Sequence, residues 1–457
     1  MKKTTRCVLA GSLLFMLAAC GSGSSDSPTA TSGTGTGTAA TTPDATAGSQ
    51  LPTIHIDTVG GNEVTSTEDY LDATVRVTSA AGVELLDAST EIRGRGNTTW
   101  GMPKKPYRLK LNQAASVLGM PADRDWALLA NYADKTLVRN RLAMQLGERL
   151  GLSYNPRSRF VELVFNGNYR GVYEVYEHKK TGPQRVNVEQ LDPDSDTGAA
   201  TITGGYFLEV DHRLGEDVCW QTSMNIPICS KDPEFDPVDI TDPAHPSQAQ
   251  YNFIVGYVNS AEQAISTPGN SYQDYFDVES MVDWYLVNEL MKNNDAQINR
   301  ATVDSDRFTS SVHMYKPRGQ KLFFGPLWDF DIAAGNINYN GGDDPTGWHI
   351  RNSAWHSLLF ANSDFGQRVF AQWCQARRDG VISGLGTQVD ALVAGIDRGA
   401  IDRNFERWDI LGTYVWPNAF IGNSHGEEVG YLKTWLAQRA AWMHAEYVRE
   451  FGECPAS

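Results

Sequence analysis

The sequence is poor in cysteine and in positive charge, and it has no internal repeat. None of its six cysteines forms a C-x-x-C pair or belongs to a cysteine–histidine cluster with zinc-ligand spacing, which disfavours structural zinc. No long apolar run follows the first 20 residues, so nothing indicates a second hydrophobic targeting or spanning segment. Lys and Arg number 39 against 55 Asp and Glu, a net charge of −16. This balance disfavours nucleic acid and anionic membrane surfaces as partners.

The N-terminal residues predict a lipoprotein signal peptide over residues 1–20. Lys2, Lys3 and Arg6 precede a short apolar run, which ends in Leu-Ala-Ala directly before Cys20. We expect a lipid on Cys20 to hold the chain in the cell envelope, facing the extracytoplasmic side, as its only contact with the membrane. An ordinary secretory signal is the alternative. Residues 21–50 have no aromatic or large aliphatic side chain, which predicts a disordered tether.

Four cysteines remain for the folded part of the chain. They are Cys219, Cys229, Cys374 and Cys454. An even number of cysteines outside the cytoplasm predicts two disulfides. Pairing Cys219 with Cys229 would close a short loop, and pairing Cys374 with Cys454 would tie down the C-terminal end, but the sequence leaves other pairings open.

The pattern of apolar residues predicts an α+β fold in two lobes. Strands are expected near residues 75–77, 92–93, 104–111 and 205–211, with hairpins over 159–177 through Asn166-Gly167 and over 312–324. Helices are expected over 134–150, with Asp134 as N-cap, and over 277–292. The part of the chain after Asp331 is predicted to be mainly helical. We therefore expect a strand-rich N-terminal lobe over residues 51–212 and a mainly helical C-terminal lobe over 213–457.

Asp329-Phe330-Asp331 is the sharpest local signal for chemistry. In extended backbone, residues i and i+2 point the same way, so both carboxylates would lie together with Phe330 on the other face. Two adjacent carboxylates favour a hard cation such as Mg²⁺. A solvated turn is the competing interpretation, although the apolar hairpin before the motif indicates a position at the rim of a core.

Two further sets of residues are candidates for the same site. Asp295 follows the helix at 277–292 in a loop rich in amides, where a carboxylate can orient a hydroxyl nucleophile; turn chemistry is the alternative. A basic cluster with two glycines suits polyphosphate, although such side chains are often only solvated. Its members are Arg93, Arg95, Lys104, Lys105, Arg108 and Lys110. The order of these parts along the chain is the order found in protein-kinase catalysis.

With these motifs in this order, the chain resembles the CotH (spore coat protein H) kinase family over roughly residues 51–450. The residues that carry the resemblance are RGRGNT at 93–98, KKPYRLK at 104–110, DWALLANYADK at 125–135, LVRN at 137–140, FNG at 165–167, YRGVY at 169–173, GGY at 204–206, Glu289, Asn294-Asp295, and GPLWDFD at 325–331 ahead of Gly335.

The resemblance implies an atypical protein-kinase-like fold that transfers phosphate from ATP to Ser or Thr of extracytoplasmic proteins with Mg²⁺ or Mn²⁺. By position, Asp295 would be the catalytic base, and Asp329 and Asp331 would be metal ligands supported by Asn299. Contacts to phosphate would come from Arg93 and Arg95, and from Lys105 or Lys110, between which the sequence does not decide.

Two departures bear on the detailed roles. Asn299 is one residue closer to Asp295 than in the classical kinase loop, and Asp331 stands where Asp-Phe-Gly has glycine. A non-catalytic member, tethered to the envelope and using the same cleft to bind a partner, is the alternative function. A glycan hydrolase that uses a carboxylate pair is a third.

Overall fold

The computed structural model describes residues 50–212, 218–269, 271–300 and 309–455. The signal peptide predicted for residues 1–20 lies outside these ranges, as does the tether predicted for residues 21–50 apart from its last residue, Gln50. Within them the fold is mixed α/β, with strands concentrated in the N-terminal part and helices in the C-terminal part. The predicted order of strand-rich and helix-rich regions is confirmed.

The N-terminal part is a closed barrel of seven strands in the order β1-β2-β3-β4-β5-β7-β6. Its strands are β1 (Thr53–Thr58), β2 (Leu71–Thr78), β3 (Glu84–Gly94), β4 (Tyr107–Ala115), β5 (Asp123–Leu129), β6 (Ser158–Phe165) and β7 (Asn168–Glu177). Closure occurs at β1, which pairs antiparallel with β2 and parallel with β6. Closing the sheet leaves no unpaired edge in this part of the molecule.

Barrel closure departs from what the patterns predicted. The expected strands correspond to β2, β3 and β4, and the hairpin of β6 and β7 turns at Asn166 and Gly167, both at positive φ, as the Asn-Gly signal predicts. Neither β1 nor β5 was predicted. Five consecutive residues of β5 are buried, which removes the alternation by which a half-buried strand is recognised.

A second sheet of five strands has the order β12-β11-β8-β10-β9. These strands are β8 (Tyr206–Val210), β9 (Cys219–Gln221), β10 (Pro227–Asp232), β11 (Val312–Lys316) and β12 (Phe323–Phe324). The predicted strand near 205–211 and the hairpin over 312–324 are confirmed as β8 and as β11 with β12. In register, β8 places Glu209 between Cys229 of β10 and His313 of β11.

Eight α-helices lie in the described part of the chain. They are α1 (Arg139–Leu150), α2 (Pro246–Ser266), α3 (Val278–Leu290), α4 (Ala354–Asn362), α5 (Phe365–Arg378), α6 (Leu385–Ala394), α7 (Arg398–Arg407) and α8 (His425–Phe451). Helix α3 is buried on nearly every face, and Asp277 caps it by accepting from the backbone of Ser280, so the helix predicted over 277–292 is confirmed.

Two helices differ from the sequence-based expectation. Helix α1 begins at Arg139, five residues after the predicted cap Asp134, because the Asp134 carboxylate folds forward and accepts from the backbone N–H of both Thr136 and Arg139. Helix α2 was not predicted, although Ile254, Val258 and other apolar residues recur on one helical face of its sequence.

Both favoured disulfides are present. Cys219 is bonded to Cys229, which joins β9 to β10, and Cys374 on α5 is bonded to Cys454 beyond α8. Among the described helices, none has the length and apolar character needed to cross a bilayer.

Candidate active site

A cleft of about 1270 Å³ lies where the barrel meets the second sheet and the helical part. The barrel side contributes the turn after β3 and the segment after β7. The second sheet contributes residues of β8 and β10. The helical side contributes the turn after α3 and the loop after β12. Side chains from distant parts of the sequence therefore share one cavity, which is the usual geometry of a ligand site.

Three of the predicted acidic residues line this cleft. They are Asp295, Asp329 and Asp331. Withdrawal from water, together with the charges of Asp329, Asp134 and Asp295, raises the pKa of Asp331 to about 7. A cluster of carboxylates that repel one another in this way is stabilised by a cation.

The backbone around the two aspartates is not extended as the sequence interpretation assumed. Asp329 has a φ of 55°, in the left-handed region, and a turn begins at Asp331. The premise of alternating side chains is therefore wrong, yet both carboxylates still reach the cleft while Phe330 is buried in the core. A non-glycine residue held at positive φ next to a cleft is typical of functional sites.

Hydrogen bonds hold the Asp329 loop and the Asp295 turn together. The amide of Asn293 donates to the carbonyl of Asp329 at 3.2 Å, and the hydroxyl of Ser311 donates to the Asp329 carboxylate at 3.1 Å. The backbone N–H of Ser310 donates to the carbonyl of Asp295 at 3.1 Å. These contacts fix the spacing of the two acidic segments, although they come from separate elements.

The LVRN segment at the start of α1 supports the same loop from behind. Asn140 accepts from the backbone N–H of Phe330 at 2.8 Å, and Arg139 donates to the carbonyl of Ala334 at 3.4 Å. Arg139 is itself paired with Asp134 at 2.5 Å, and both side chains are fully buried. These residues therefore act as a scaffold for the aspartates.

Two positively charged side chains lie against the ring of Trp328, the residue before Asp329. The guanidinium of Arg95 and the ammonium of Lys179 each lie 5.3 Å from the centre of the Trp328 ring. Such cation–π contacts hold both positive charges beside the aspartates. Asp329 and Asp331 favour the charged form of Arg95, although burial lowers its pKa overall. Of the four residues predicted to contact phosphate, Arg95 is the one that lines the cleft. Lys104 and Arg108 of the basic cluster also line it, but Lys104 donates to Asn404 and Arg108 is paired with Asp125.

Lys179 is held in place by an ion pair in the second sheet. Its Nζ lies 2.9 Å from Oε1 of Glu209 and 2.5 Å from Nε2 of His313, which itself lies 3.2 Å from the same carboxylate oxygen. Glu209 is 5% exposed, and Lys179, His313 and Lys231 hold its pKa well below the usual range against the opposing effect of burial. Lys179 therefore presents a fixed positive charge to the cleft.

The other predicted phosphate ligands lie elsewhere. Arg93 stacks on Tyr70 at 5.1 Å, and Lys105 donates to the carbonyl of Trp100 at 2.6 Å. Neither they nor Lys110, which faces Asp125 across β4 and β5, is among the residues that line the cleft. The structure therefore supports neither Lys105 nor Lys110 as the lysine that contacts phosphate.

Asn299 is also outside the acidic cluster. Its Oδ1 accepts from the backbone N–H of Ala354, the first residue of α4, at 3.3 Å, and its Nδ2 donates to Gln297 at 2.8 Å. The side chain is 6% exposed and does not line the cleft. Both ends of the amide are in use where α4 begins, so the structure does not bring Asn299 to Asp329 and Asp331.

Sequence reasoning missed Lys179, Glu209 and His313. One signal was present: Lys179 and Lys180 lie two and three residues beyond the end of a strand that was predicted. Glu209 and His313 are more than a hundred residues apart and meet only through the pairing of β8 with β11, so no local pattern could identify them.

The side chains present fit a divalent cation and a polyphosphate. Asp329 and Asp331 offer the hard oxygen ligands that Mg²⁺ and Mn²⁺ prefer. Arg95 and Lys179 provide the fork-shaped and compact positive charges that suit phosphate oxygens. Carboxylates and cations that line one cleft are the side chains that a metal-bound anion requires.

Residues 92–443 match the family model described as CotH kinase protein, which is more than half of the chain. The chain therefore belongs to the CotH kinase family. A search of curated proteins gave no match.

Proposed function

We propose that the chain is a metal-dependent protein kinase that transfers phosphate from ATP to Ser or Thr hydroxyl groups of extracytoplasmic proteins. The observation that carries this proposal is the single cleft in which Asp295, Asp329 and Asp331 lie beside Arg95 and Lys179. Family membership supports a kinase. A site that bound only a neutral ligand would not need three carboxylates beside two cations.

Each side chain has a distinct part in the proposed chemistry. Asp329 and Asp331 would hold Mg²⁺ or Mn²⁺, which supplies charge neutralisation to the phosphates when bound. Arg95 and Lys179 bind phosphate oxygens, and Glu209 with His313 positions Lys179. Asp295 accepts the proton of the acceptor hydroxyl. Asn293 and Ser311 keep Asp329 in place while this occurs.

We also propose that the two parts of the fold act as the lobes of a kinase-like molecule. The lining of the cleft supports this arrangement, because Arg95 and Lys179 come from the barrel part while Asp295 and Asp329 come from the helical part. In this arrangement the N-terminal lobe contains the closed barrel of seven strands. Its rigidity would give the phosphate ligands a fixed frame.

The proposed location is the cell envelope, facing the extracytoplasmic side, with the lipid on Cys20 as the anchor. The sequence motif before Cys20 supports this, and two disulfides among the remaining cysteines agree with an oxidising compartment. Cys20→Ala should abolish incorporation of labelled palmitate and release the chain from membranes. Labelling that survives the substitution would exclude the anchor.

Transfer of radiolabelled phosphate from ATP tests the proposed activity directly. The full chain is incubated with Mg²⁺ or Mn²⁺ beside Asp295→Ala and Asp329→Ala, whose folding is checked by circular dichroism. We expect labelling by the wild type and its loss in both variants. If no metal supports transfer and nucleotide causes no thermal shift, the chain is instead a tethered binding protein that uses the same cleft.

A further inference from the structure

An exposed pair of stacked aromatic rings lies at the mouth of the cleft. Tyr339 and Trp416, here termed the aromatic shelf, have ring centres 6.0 Å apart and planes inclined by 12°. Both line the cleft, and Trp416 is 48% exposed. A tryptophan is usually much more buried than this, so the shelf exposes apolar area that the fold does not use.

The shelf is held rigidly with respect to Asp331. The backbone N–H of Asn338 donates to the carbonyl of Pro417 at 3.0 Å, which joins the two loops that carry the rings. Asn418, 3% exposed, donates to Asn336 at 3.0 Å, and Asn336 donates to the carbonyl of Asp331 at 2.7 Å. A preorganised aromatic surface can bind a partner without a large loss of conformational entropy.

The shelf lies on the Asp295 side of the acidic cluster. The charges of Asp295 and Asp331 act on the Tyr339 hydroxyl, whose pKa burial and these charges raise to about 12. The amide of Asn340, the residue after Tyr339, donates to the side chain of Asn294, the residue before Asp295, at 3.2 Å. The shelf is therefore next to the turn that carries the residue proposed to receive the acceptor's proton.

We propose that the aromatic shelf binds the residue next to the acceptor Ser or Thr, and that it selects a planar apolar residue there, proline or an aromatic. This inference rests on the proposed kinase function and adds a sequence preference to its substrate. Stacking of a flat side chain on the exposed ring of Trp416 buries apolar area on both partners. An extended polypeptide would place the hydroxyl and the flanking side chain close enough to reach Asp295 and the shelf together.

A protein acceptor fits the shelf better than a glycan does. A sugar ring that stacks on an aromatic also needs polar side chains to bind its hydroxyl groups. The neighbouring amide of Asn338 donates to the hydroxyl of Tyr414 at 3.0 Å, and that of Asn418 donates to the carbonyl of Ala133 at 2.7 Å as well as to Asn336. These donors are already bonded within the protein.

A peptide library with a central serine and one fixed flanking residue at a time tests the inference. The full chain phosphorylates the library with radiolabelled ATP and Mg²⁺, beside Trp416→Ala, Trp416→Phe and the control Tyr414→Ala. Tyr414 is as exposed as Trp416, at 49%, but does not line the cleft. We expect the wild type to favour proline or an aromatic at one flanking position. In Trp416→Ala that preference should disappear and the KM for the best peptide should rise about fivefold to tenfold, with the KM for ATP unchanged.

The variants separate the possible failures. Trp416→Phe should restore the preference, and Tyr414→Ala should keep it. An unchanged peptide profile in Trp416→Ala would overturn the inference while leaving the kinase function standing. Labelling of oligosaccharides in place of peptides would overturn it also. Absence of transfer by the wild type to any acceptor would overturn the proposed function and this inference together.

Discussion

Two buried ion pairs in this molecule have similar geometry and opposite surroundings. Glu289 of α3 and Arg439 of α8 approach to 2.5 Å with neither side chain exposed. Glu209 and Lys179 approach to 2.9 Å with 6% and 16% of their side chains exposed. The first pair is enclosed by protein, whereas both members of the second line the cleft.

The hydrogen bonds around each pair show what it does. The Arg439 guanidinium also donates to the carbonyls of Glu289, Pro345 and Gly347, and the Glu289 carboxylate accepts from the backbone N–H groups of His349 and Arg351. That pair therefore fixes the chain segment that follows the Asp329 loop.

Lys179 has only side-chain partners, Glu209 and His313, at the wall of a cavity. Since a buried ion pair adds little net stability over an apolar substitute, the position of the charge rather than the bond itself indicates its purpose.

The largest expected effect is on stability, at the enclosed pair. Arg439→Met leaves the Glu289 carboxylate buried without its counter-charge, which should lower the free energy of unfolding by about 3–5 kcal/mol. Urea denaturation followed by circular dichroism measures this. Arg449→Met is the control on the same helix, because Arg449 is 75% exposed and should change stability by less than about 0.5 kcal/mol. Equal losses in the two variants would contradict a structural role specific to Arg439.

The next effect is on activity, at the open pair. Lys179→Met should lower the rate of phosphate transfer about 100-fold, the usual effect of removing one preorganised charge from a developing anion. Its loss of stability should be smaller than that of Arg439→Met, because Lys231 and His313 remain beside Glu209. Lys105→Met is the matched control, and its rate of phosphate transfer should stay near that of wild type. An equal fall in the rate in Lys105→Met would indicate that Lys105 contacts phosphate after all.

A smaller effect concerns a buried carboxylate that forms no ion pair with any residue that the structure describes. Glu174 of β7 is fully buried and accepts from Ser158 and Asn131, and burial raises its pKa from 4.5 to about 7. The folded state therefore holds this proton more tightly than the unfolded state, so stability is lost as pH rises from about 4.5 to about 7.

Glu174→Gln should remove that pH dependence. It should stabilise the protein by on the order of 2 kcal/mol at pH 8 and by little at pH 4. Thermal denaturation of both proteins across this range provides the comparison. A difference that is constant with pH would show that the carboxyl does not titrate as the structure indicates.

The smallest effect is expected at Asn299. Asn299→Ala removes a hydrogen bond at the start of α4 and should cost about 1 kcal/mol of stability. The Mg²⁺ concentration needed for half-maximal transfer should stay within about twofold of wild type, because the side chain does not supply a ligand. An increase of tenfold or more in that concentration would return Asn299 to the metal site.

Local patterns predicted the parts of this molecule whose causes are local. The Asn166-Gly167 turn, helix α3 and the hairpin of β11 and β12 depend on neighbouring residues and were found from the sequence. The order of the motifs also identified Asp295, Asp329 and Asp331, which the structure places in one cleft. Their detailed roles stay predictions.

What the sequence did not reveal depends on contacts between distant segments. Barrel closure needs β1 to find β6, about a hundred residues away, and neither strand contains a signal for the other. The basic cluster around Arg93 to Lys110 was taken as one surface, whereas pairing within the barrel turns its members in different directions. The phosphate-facing charge then came from Lys179, which tertiary packing alone joins to Glu209 and Trp328.

Binding of Mn²⁺ with ATP, measured by isothermal titration calorimetry on the full chain, tests the central claim most directly. The claim is that the aspartates and Lys179 form a single site for a metal-bound polyphosphate. Wild type should bind the nucleotide only when the metal is present. In Asp329→Asn, adding the metal should no longer strengthen nucleotide binding. Lys179→Met should bind the metal-bound nucleotide at least about tenfold more weakly than wild type. Unchanged binding in both variants, or no binding by the wild type, would contradict it.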